Sequence, residues 1–322
     1  MILLVSPEED RHTKAVRRCL EQMGAAVTLL DLAEFPQQAQ VAMKFGANHE
    51  CYESVMSNYE RDLNLSDYRS VWWRHSRPFV LHPELTDQIY RSFAYVECQA
   101  AISGLWLALD AFWVNHPMRS EEALRRPYQL KIAQQAGLAI PATLITNNPN
   151  RARAFIQQHG PDRTIYRAFS TTAKVWREAQ LVQPKQMALL DNVCYAPVLF
   201  QEYIPPQIDL RIIAVGDALF AASALAWEEN DAETDMAPYR LSPTLAAQVQ
   251  TLMARLGLSY GVLHMRITAD GQPVFLELNP AGDWLAVEDA TQMPITEAVA
   301  QLLMRCEQVH SPAHPAMQMM PS

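Results

Sequence analysis

The chain has 322 residues and a mass of 36.4 kDa, a length that predicts two domains or one domain with several lobes at roughly 100–200 residues each. Thirty-five acidic residues against 26 Lys and Arg leave a net charge of −9, which argues against a general nucleic-acid binder. The 49% hydrophobic, 19% charged composition is globular, and no apolar run reaches the 18 residues of a spanning helix.

Taken in order, the opening MILLVSPEED has no basic segment before its apolar residues, so it predicts a first strand, Ile2 to Val5, and not a secretory signal. Ala15, Val16, Cys19, Leu20 and Met23 recur at helical spacing and Gly24 ends that helix. Ala26 to Leu30 reads as a second strand, giving a βαβ unit with parallel strands. Pro36 to Asp67 carries no clear period. Val71-Trp72-Trp73-Arg74 is a further strand, its tryptophans read as core and rim packing, with Arg74 and Arg77 near its end. Residues 84 to 110 are helical, and Asn115-His116-Pro117 breaks the pattern, with His116 read as a turn residue. Ser120 is expected to cap a helix through Glu121, Ala123 and Leu124. Another helix runs from Pro127 to Ala136 and ends at Gly137. Pro141 to Thr146 is extended, and a helix then runs to His159 and Gly160.

Beyond residue 162 the pattern is antiparallel. Thr164 to Phe169 is a strand, Ser170 to Ala173 a polar turn, and Val198 to Tyr203 a strand that stops at Pro205-Pro206. Leu210 to Val215 and Leu219 to Ala224 flank a two-residue turn at Gly216-Asp217. Residues 242 to 256 form an amphipathic helix closed by Gly257. Val262 to Thr268 and Pro273 to Asn279 flank a second turn at Asp270-Gly271, and a last helix spans about 294 to 307. The expected division is an N-terminal α/β domain over 1–118, then a second domain over 119–308 with lobes of about 119–200 and 201–308. The Pro- and Met-rich tail 309–322 is expected to be poorly ordered.

Several chemistries are absent. The ten glycines never stand at GxG spacing, and there is no GxxxxGK[ST], HExxH or GxSxG. Five cysteines (19, 51, 98, 194, 306) form no CxxC pair, which predicts neither disulfide framework nor zinc ribbon and a reducing, cytoplasmic setting.

What remains converges on three strands. In the last hairpin a two-residue loop at 270–271 sets Ala269 opposite Gln272 and His264 opposite Glu277. Alternation then puts Glu277 and Asn279 on one face beside His264. A carboxylate on a half-buried strand needs a partner. A divalent cation bridging nucleotide phosphates is one, and an ordinary ion pair with Arg266 or a lysine is the other. The hairpin alone leaves both open. The strand Leu199-Phe200-Gln201-Glu202-Tyr203-Ile204 offers backbone groups at its exit that suit an adenine edge, and Asp209, two residues from Arg211, lies where ribose hydroxyls would follow. Both residues also fit a plain surface pair. Arg167, in Ile165-Tyr166-Arg167-Ala168-Phe169, is a cation for phosphate or a snorkelling side chain.

In this order the three features resemble the ATP-grasp superfamily. The stretches D-L-R-I-I-A-V-G-D-A-L-F-A-A, Q-E-Y-I-P, F-L-E-L-N-P-A-G-D-W-L-A-V-E, V-W-W-R and V-N-H-P resemble the graspetide (microviridin-type) peptide maturases in particular. So do Q-L-x-x-A-x-x-x-G-L-x-I-P-x-T-L-I-T-N-N-P and the segment around Val175-Trp176-Arg177-Glu178. The likeness runs over about residues 1–305, and RimK-like glutamate ligases share only its nucleotide part. The resemblance implies an α/β (α+β) ATP-grasp fold behind a pre-ATP-grasp α/β domain. It implies an ATP- and Mg²⁺-dependent carboxylate ligase, with Mn²⁺ as an alternative metal. Such an enzyme activates Asp or Glu side chains of a precursor peptide carrying a leader segment and closes ester or amide crosslinks. By the same resemblance Gln201, Glu202, Tyr203 and Ile204 form the adenine hinge, and Asp209 holds the ribose. Arg167 binds phosphate, and Glu277, Asn279 and His264 surround the metal. Arg211 faces the transferring phosphoryl group, Arg240 the substrate carboxylate, and a homodimer is expected.

Three positions depart from the family pattern. Arg167 stands for its lysine, keeping charge but adding a planar fork. His264 stands for an aspartate ligand, and imidazole suits Mn²⁺ or Zn²⁺ better than Mg²⁺. Pro238 stands for an acid, with Asp235 nearby. They keep two other readings in view, a catalytically impaired homologue that binds peptide or nucleotide and a RimK-like amino-acid ligase.

Overall fold

The computed structural model describes residues 1–46, 52–58, 62–169, 179–205, 207–225 and 236–309. The first apolar run becomes β1 (Ile2–Val5), buried throughout, and leads into α1 (Arg11–Gln22). Asp10 caps that helix by accepting from Thr13 N–H. Val16 and Leu20 face inward. β2 (Val27–Leu30) returns parallel to β1, as the βαβ pattern predicts. The stretch without a clear period forms a small antiparallel sheet, β3 (Ala39–Phe45), β4 (Tyr52–Asn58) and β5 (Asp62–Asn64). β6 (Ser70–Trp73), α2 (Gln88–Ala108) and β7 (Phe112–Val114) complete a four-stranded parallel sheet in the order β2-β1-β6-β7. Trp72 is core and Trp73 half-buried, stacked edge-on against Trp106 of α2.

α3 (Pro117–Leu124) is capped by His116, whose ring accepts from Met118 N–H. The expected cap, Ser120, lies buried inside the helix instead. The difference is physical: Pro117 presets the first helical turn, so the residue before it takes the cap. α4 (Arg126–Gln135) follows after one residue. β8 (Thr143–Thr146), α5 (Pro149–His159), β9 (Thr164–Arg167), β10 (Gln180–Leu181), α6 (Pro184–Ala188) and β11 (Val198–Glu202) make an antiparallel sheet ordered β10-β9-β11-β8. Ile156, Tyr166, Leu190 and Phe200 fill its core.

The third sheet runs β14-β13-β12-β15-β16. Its members are β12 (Ile208–Val215), β13 (Ala218–Ala224), β14 (Ala237–Pro238), then after α7 (Pro243–Leu256) β15 (Tyr260–Ile267) and β16 (Pro273–Asn279). The 216–217 turn has the expected two residues, with Gly216 at φ +56°. Alternation gives this sheet two faces. Leu210, Ile212, Leu263, Met265 and Leu278 pack with side chains of α4 and α7. Ile213, Val215, Tyr260 and Val262 pack against α8 (Leu285–Thr291), α9 (Ile295–Val309) and the parallel sheet's Ile2, Leu4 and Trp72. Where that second face runs past α8 and α9 it turns polar.

The last hairpin corrects one expectation. Thr268 pairs with Gln272, so three residues, Ala269 to Gly271, make the loop. Gly271, at φ +81°, supplies the left-handed conformation that such a loop needs. Pairs near the turn, Ile267 with Pro273 and Met265 with Phe275, are therefore one residue out from the expected register. A bulge between His264 and Met265 then absorbs Leu276, and His264 does face Glu277. The segments 170–178 (the polar turn and Val175 to Glu178), Pro206, Asp235 and the tail from 310 lie outside the described residues.

Candidate functional site

The polar end of the sheet is built from three adjacent strands. Arg211 on β12 stands opposite His264 on β15, which stands opposite Glu277 on β16. Glu277 is the hub. Its Oε2 accepts from Arg126 of α4 and, at 3.1 Å, from Arg167 at the end of β9. Its Oε1 lies 3.7 Å from His264 Nδ1. Two elements outside the hairpin, α4 and β9, thus converge with β15 on one carboxylate.

Charge states follow from this crowding. Burial alone would raise the Glu277 carboxyl, but Arg126, ahead of His264 and Arg167, brings it down to about 2, so it is ionised. Burial, then the Arg211 charge, lowers His264 to about 4. It is neutral at pH 7 and has a lone pair to offer. Burial and the neighbouring Arg167 lower Arg126, with Glu277 opposing.

Arg126 has a second task. Its Nη1 donates to the Leu276 carbonyl at 2.9 Å, satisfying the bulged residue. Gln129, one helical turn on, accepts from Leu278 N–H and donates to Leu278 C=O, completing the free edge of β16 as another strand would. Sequence reasoning missed Arg126. The only signal was its position three residues before the quoted Q-L motif. Arg266, expected as a partner of Glu277, instead pairs with Asp209 at 2.8 Å. The Glu277–Arg266 reading is corrected accordingly: the two residues share a face, but Arg266 is opposite Val274 and nearest Asp209 across the strand pair.

The exit of β11 is less open than expected. Glu202 N–H donates to Ala142 C=O and Tyr203 N–H to Arg163 C=O, each at 2.8 Å, while Ile204 C=O accepts from Arg266. Those groups are already paired by their own neighbours, because β8 and the 160–163 turn flank the strand end. Gln201 is buried and donates to Thr143 Oγ1. Glu202 lies 3.5 Å from Arg163. Arg266 lies over the Tyr203 ring, 5.5 Å from its centroid, tying Asp209 to the segment that leaves β11. Arg240 is exposed just beyond β14, the edge strand paired to Ala222 and Ser223. Among the described residues it makes no ion pair.

These residues suit a divalent cation only in part by themselves. Among the described residues no three His, Cys, Asp or Glu side chains gather as a metal cage. The donors present are one ionised carboxylate, one neutral imidazole and the Asn279 amide, whose Oδ1 accepts from Ala281 N–H at 2.9 Å. That set fits an ion that takes one or two protein ligands and fills the rest of its shell from water and phosphate.

Comparison with known proteins agrees with this architecture. Residues 1–121 match the family described as the MvdD pre-ATP grasp domain. The macrocyclase MdnC of Microcystis aeruginosa MRC, solved with its precursor peptide MdnA, is 27% identical, with a TM-score of 0.84 over 94% of this chain and 99% of that one. MdnB from the same organism is 28% identical, with a TM-score of 0.81 over 94% and 98%. A Chryseobacterium gregarium RiPP-associated ATP-grasp ligase, solved with ADP and leader and core peptides, shares the fold at 23% identity, with a TM-score of 0.83 over 95% and 96%. No curated protein matches. The fold is thus a mixed α/β ATP-grasp fold behind a pre-ATP-grasp domain. Within that class, the chain is similar to the macrocyclases MdnC and MdnB, and its first 121 residues match the MvdD pre-ATP grasp domain.

Proposed function

We propose that this protein is an ADP-forming ligase that closes side-chain crosslinks in a ribosomally made precursor peptide. One observation carries the reading: Glu277, ionised, sits where two arginines from separate elements converge beside a neutral His264. A cationic cleft around an acidic ligand suits a triphosphate and its metal. The likeness to MdnC, solved with a precursor peptide, supports the substrate class.

In this reading Gln201 to Ile204 line the adenine, largely by side chain and apolar contact since several of their backbone groups are engaged. Asp209 reaches the ribose. Arg126 and Arg167 exchange Glu277 for phosphate oxygens when nucleotide arrives. Glu277, Asn279 and His264 would hold Mg²⁺, or Mn²⁺ given the imidazole, and the ion would neutralise phosphate charge. An Asp or Glu side chain of the peptide attacks the γ-phosphorus, and ADP leaves. Arg211 stabilises the resulting acyl phosphate. A Thr or Ser hydroxyl, or a Lys amine, then attacks the acyl carbon. The nucleophile loses its proton and phosphate leaves, giving an ester or amide. Arg240 meets the substrate carboxylate. The net change in the peptide is one water lost per crosslink.

The protein would work in the cytoplasm, a setting in keeping with its free Cys19, Cys98 and Cys194, and it would bind the leader segment of its peptide. No helix among the described residues is long and apolar enough to cross a membrane. A homodimer is part of the reading: the first half of α2 exposes Ile89, Tyr90, Phe93 and Val96, an apolar face of the kind that a second copy covers. The deciding experiment incubates the chain with ATP, Mg²⁺ or Mn²⁺ and a Thr-, Ser-, Asp- and Glu-rich precursor peptide from its genomic neighbourhood, followed by mass spectrometry. Loss of about 18 Da per ADP released is expected. Binding of peptide and nucleotide with no mass change under either metal would favour the second reading, a non-catalytic homologue, which the neutral His264 in place of an acid specifically supports. Crosslink-free addition of amino acids would favour the RimK-like alternative.

A further inference from the structure

The turn that leaves β16 is held from outside its own sheet. Arg74, at the end of β6 in the parallel sheet, is 1% exposed. Its Nη1 donates to the carbonyls of Ala281 and Gly282, its Nη2 to the Asp283 carboxylate, and its Nε lies 3.6 Å from Asp10. His12 of α1 receives Trp284 N–H at 3.1 Å and Leu285 N–H at 3.2 Å on Nε2, which caps α8 from another domain. Asn115 donates to Tyr260 C=O and Pro280 C=O and accepts from Ser259 N–H and Tyr260 N–H, joining the start of β15 to the end of β16. Tyr260 donates its hydroxyl to Gly282 C=O at 2.7 Å.

A buried guanidinium is costly unless it is paired; the Arg74 Nε donates to no acceptor among the described residues, but both terminal nitrogens do donate. Here the cation is spent on three consecutive residues that begin two positions after Asn279. That turn fixes where the Asn279 amide points, through the Ala281 N–H it now receives. We propose that Arg74, His12 and Asn115 are positioning residues: through them the N-terminal sheet sets the aim of Asn279 and Glu277, and so the affinity of the cation site. The inference rests on the reading of Glu277 and Asn279 as metal ligands. The N-terminal domain is then part of the nucleotide site without touching nucleotide.

The test is Mn²⁺ titration of the full chain at saturating ADP, read by electron paramagnetic resonance and needing no turnover. Arg74→Gln is expected to weaken Mn²⁺ binding about tenfold or more, the size typical of residues that orient metal ligands. Arg74→Lys, which keeps charge but not the fork, is expected to fall between. A folded Arg74→Gln protein with wild-type Mn²⁺ affinity and only a lower melting temperature overturns the proposal. Should Arg74→Gln not fold, Asp283→Asn decides: its carboxylate is largely exposed, so its loss is mild. A weakening in the same direction supports the proposal, and unchanged affinity overturns it. Glu277→Gln separates the two levels. If it abolishes Mn²⁺ binding while the Arg74 and Asp283 variants bind normally, only the positioning role fails. If it binds Mn²⁺ normally, the ligand reading fails and takes this inference with it.

Discussion

Arg167 and Glu277 lie 110 residues apart, on different sheets, and meet at 3.1 Å. This contact joins the antiparallel sheet that ends at Arg167 to the one that carries Glu277, across the groove proposed for nucleotide. Both groups are about two-thirds covered, with side-chain exposures of 30% and 33%. A bridge of this kind has a modest intrinsic worth, roughly 1 kcal/mol or less where solvent reaches it, so incoming phosphate competes with it readily. Arg167→Ala is expected to raise the KM for ATP about tenfold, the worth of one charge-assisted contact of roughly 1.5 kcal/mol, with a smaller change in kcat. Steady-state ADP release at varied ATP measures it. Equal loss in kcat with unchanged KM would mean that Arg167 acts later than binding.

Glu277 should be far less tolerant. Glu277→Ala removes the partner of two guanidinium groups and the only carboxylate in the donor set. ATP turnover should fall by at least about 10²-fold, with circular dichroism unchanged because the residue sits on the polar end of its sheet. Peptide-dependent ADP release at the wild-type rate would contradict the metal role.

His264 offers a gain instead of a loss. Its imidazole is neutral and stands where the resemblance expects an aspartate, and oxygen ligands suit Mg²⁺ better. His264→Asp is expected to lower the Mg²⁺ concentration needed for half-maximal turnover several-fold, about 1 kcal/mol of added affinity, and to narrow any preference for Mn²⁺. An unchanged metal profile would make His264 a packed neighbour of Glu277 and nothing more.

Acid should destabilise the protein in two stages, and the sign can be worked out. His12 is lowered to about 4, by burial first and the Arg74 charge next. The unfolded chain therefore binds a proton near pH 6.5 that the native one refuses until about pH 4. Stability is whole above pH 6.5 and falls as pH drops through that window, by at most about 1.4 kcal/mol per pH unit for each such histidine. His264, also near 4, adds to the slope. Glu277 extends it downward: its stabilisation is present above pH 4.5 and is lost towards pH 2. Urea melts from pH 7.5 to 4.5 should show the decline, and His12→Gln should flatten it while lowering stability at pH 7.5 by about 1 kcal/mol, the worth of a helix cap. A His12→Gln slope equal to wild type would show that His12 does not carry the effect.

Much of the frame was legible in the sequence for reasons of period. The βαβ start, the 216–217 hairpin and the α7 stop at Gly257 follow from alternation, helical spacing and left-handed glycines. The small sheet over residues 39–64 was missed although β3 alternates Ala39, Val41, Met43 and Phe45 with Gln40, Ala42 and Lys44, because β4 sets Val55 beside Met56 and β5 has only three residues, so no single period runs through the segment. At the site, His264 opposite Glu277 was reached by way of a turn of the wrong length, compensated by a bulge that nothing in the local sequence announces. Arg126 and Arg74 were hidden for another reason. Arg126 acts on a strand and Arg74 on a turn, each more than 140 residues away, and pairings over that distance leave no local pattern.

The exposed half of α2 makes a prediction about assembly. Ile89, Phe93 and Val96 recur at helical spacing and are each more than half exposed, which is unusual for a helix this apolar unless something covers it. If that cover is a second copy, the wild-type chain should run as a dimer in light scattering after gel filtration. Phe93→Glu should give a monomer of unchanged helicity, because a charge on the face is repeated across the two-fold axis. A monomeric wild-type chain at micromolar concentration would remove the dimer from the proposed function.

Gly282 tests how tightly the turn after β16 is built. A Cβ there would lie 2.6 Å from Val262 Cβ and 2.7 Å from its Cγ2, and both belong to a rigid strand position, not to the end of a flexible chain. Gly282 also gives its carbonyl to Arg74 and Tyr260, so the turn cannot back away without losing them. Gly282→Ala should therefore cost about 1–3 kcal/mol, measurable as a lower urea midpoint. Val262→Ala in the same chain removes the Cγ2 clash and keeps the Cβ one. The double variant should recover part of the Gly282→Ala loss even though Val262→Ala alone destabilises, a non-additivity that marks direct contact. Strictly additive losses would mean that the backbone shifts elsewhere to admit the methyl group, and that the turn is looser than its hydrogen bonds suggest.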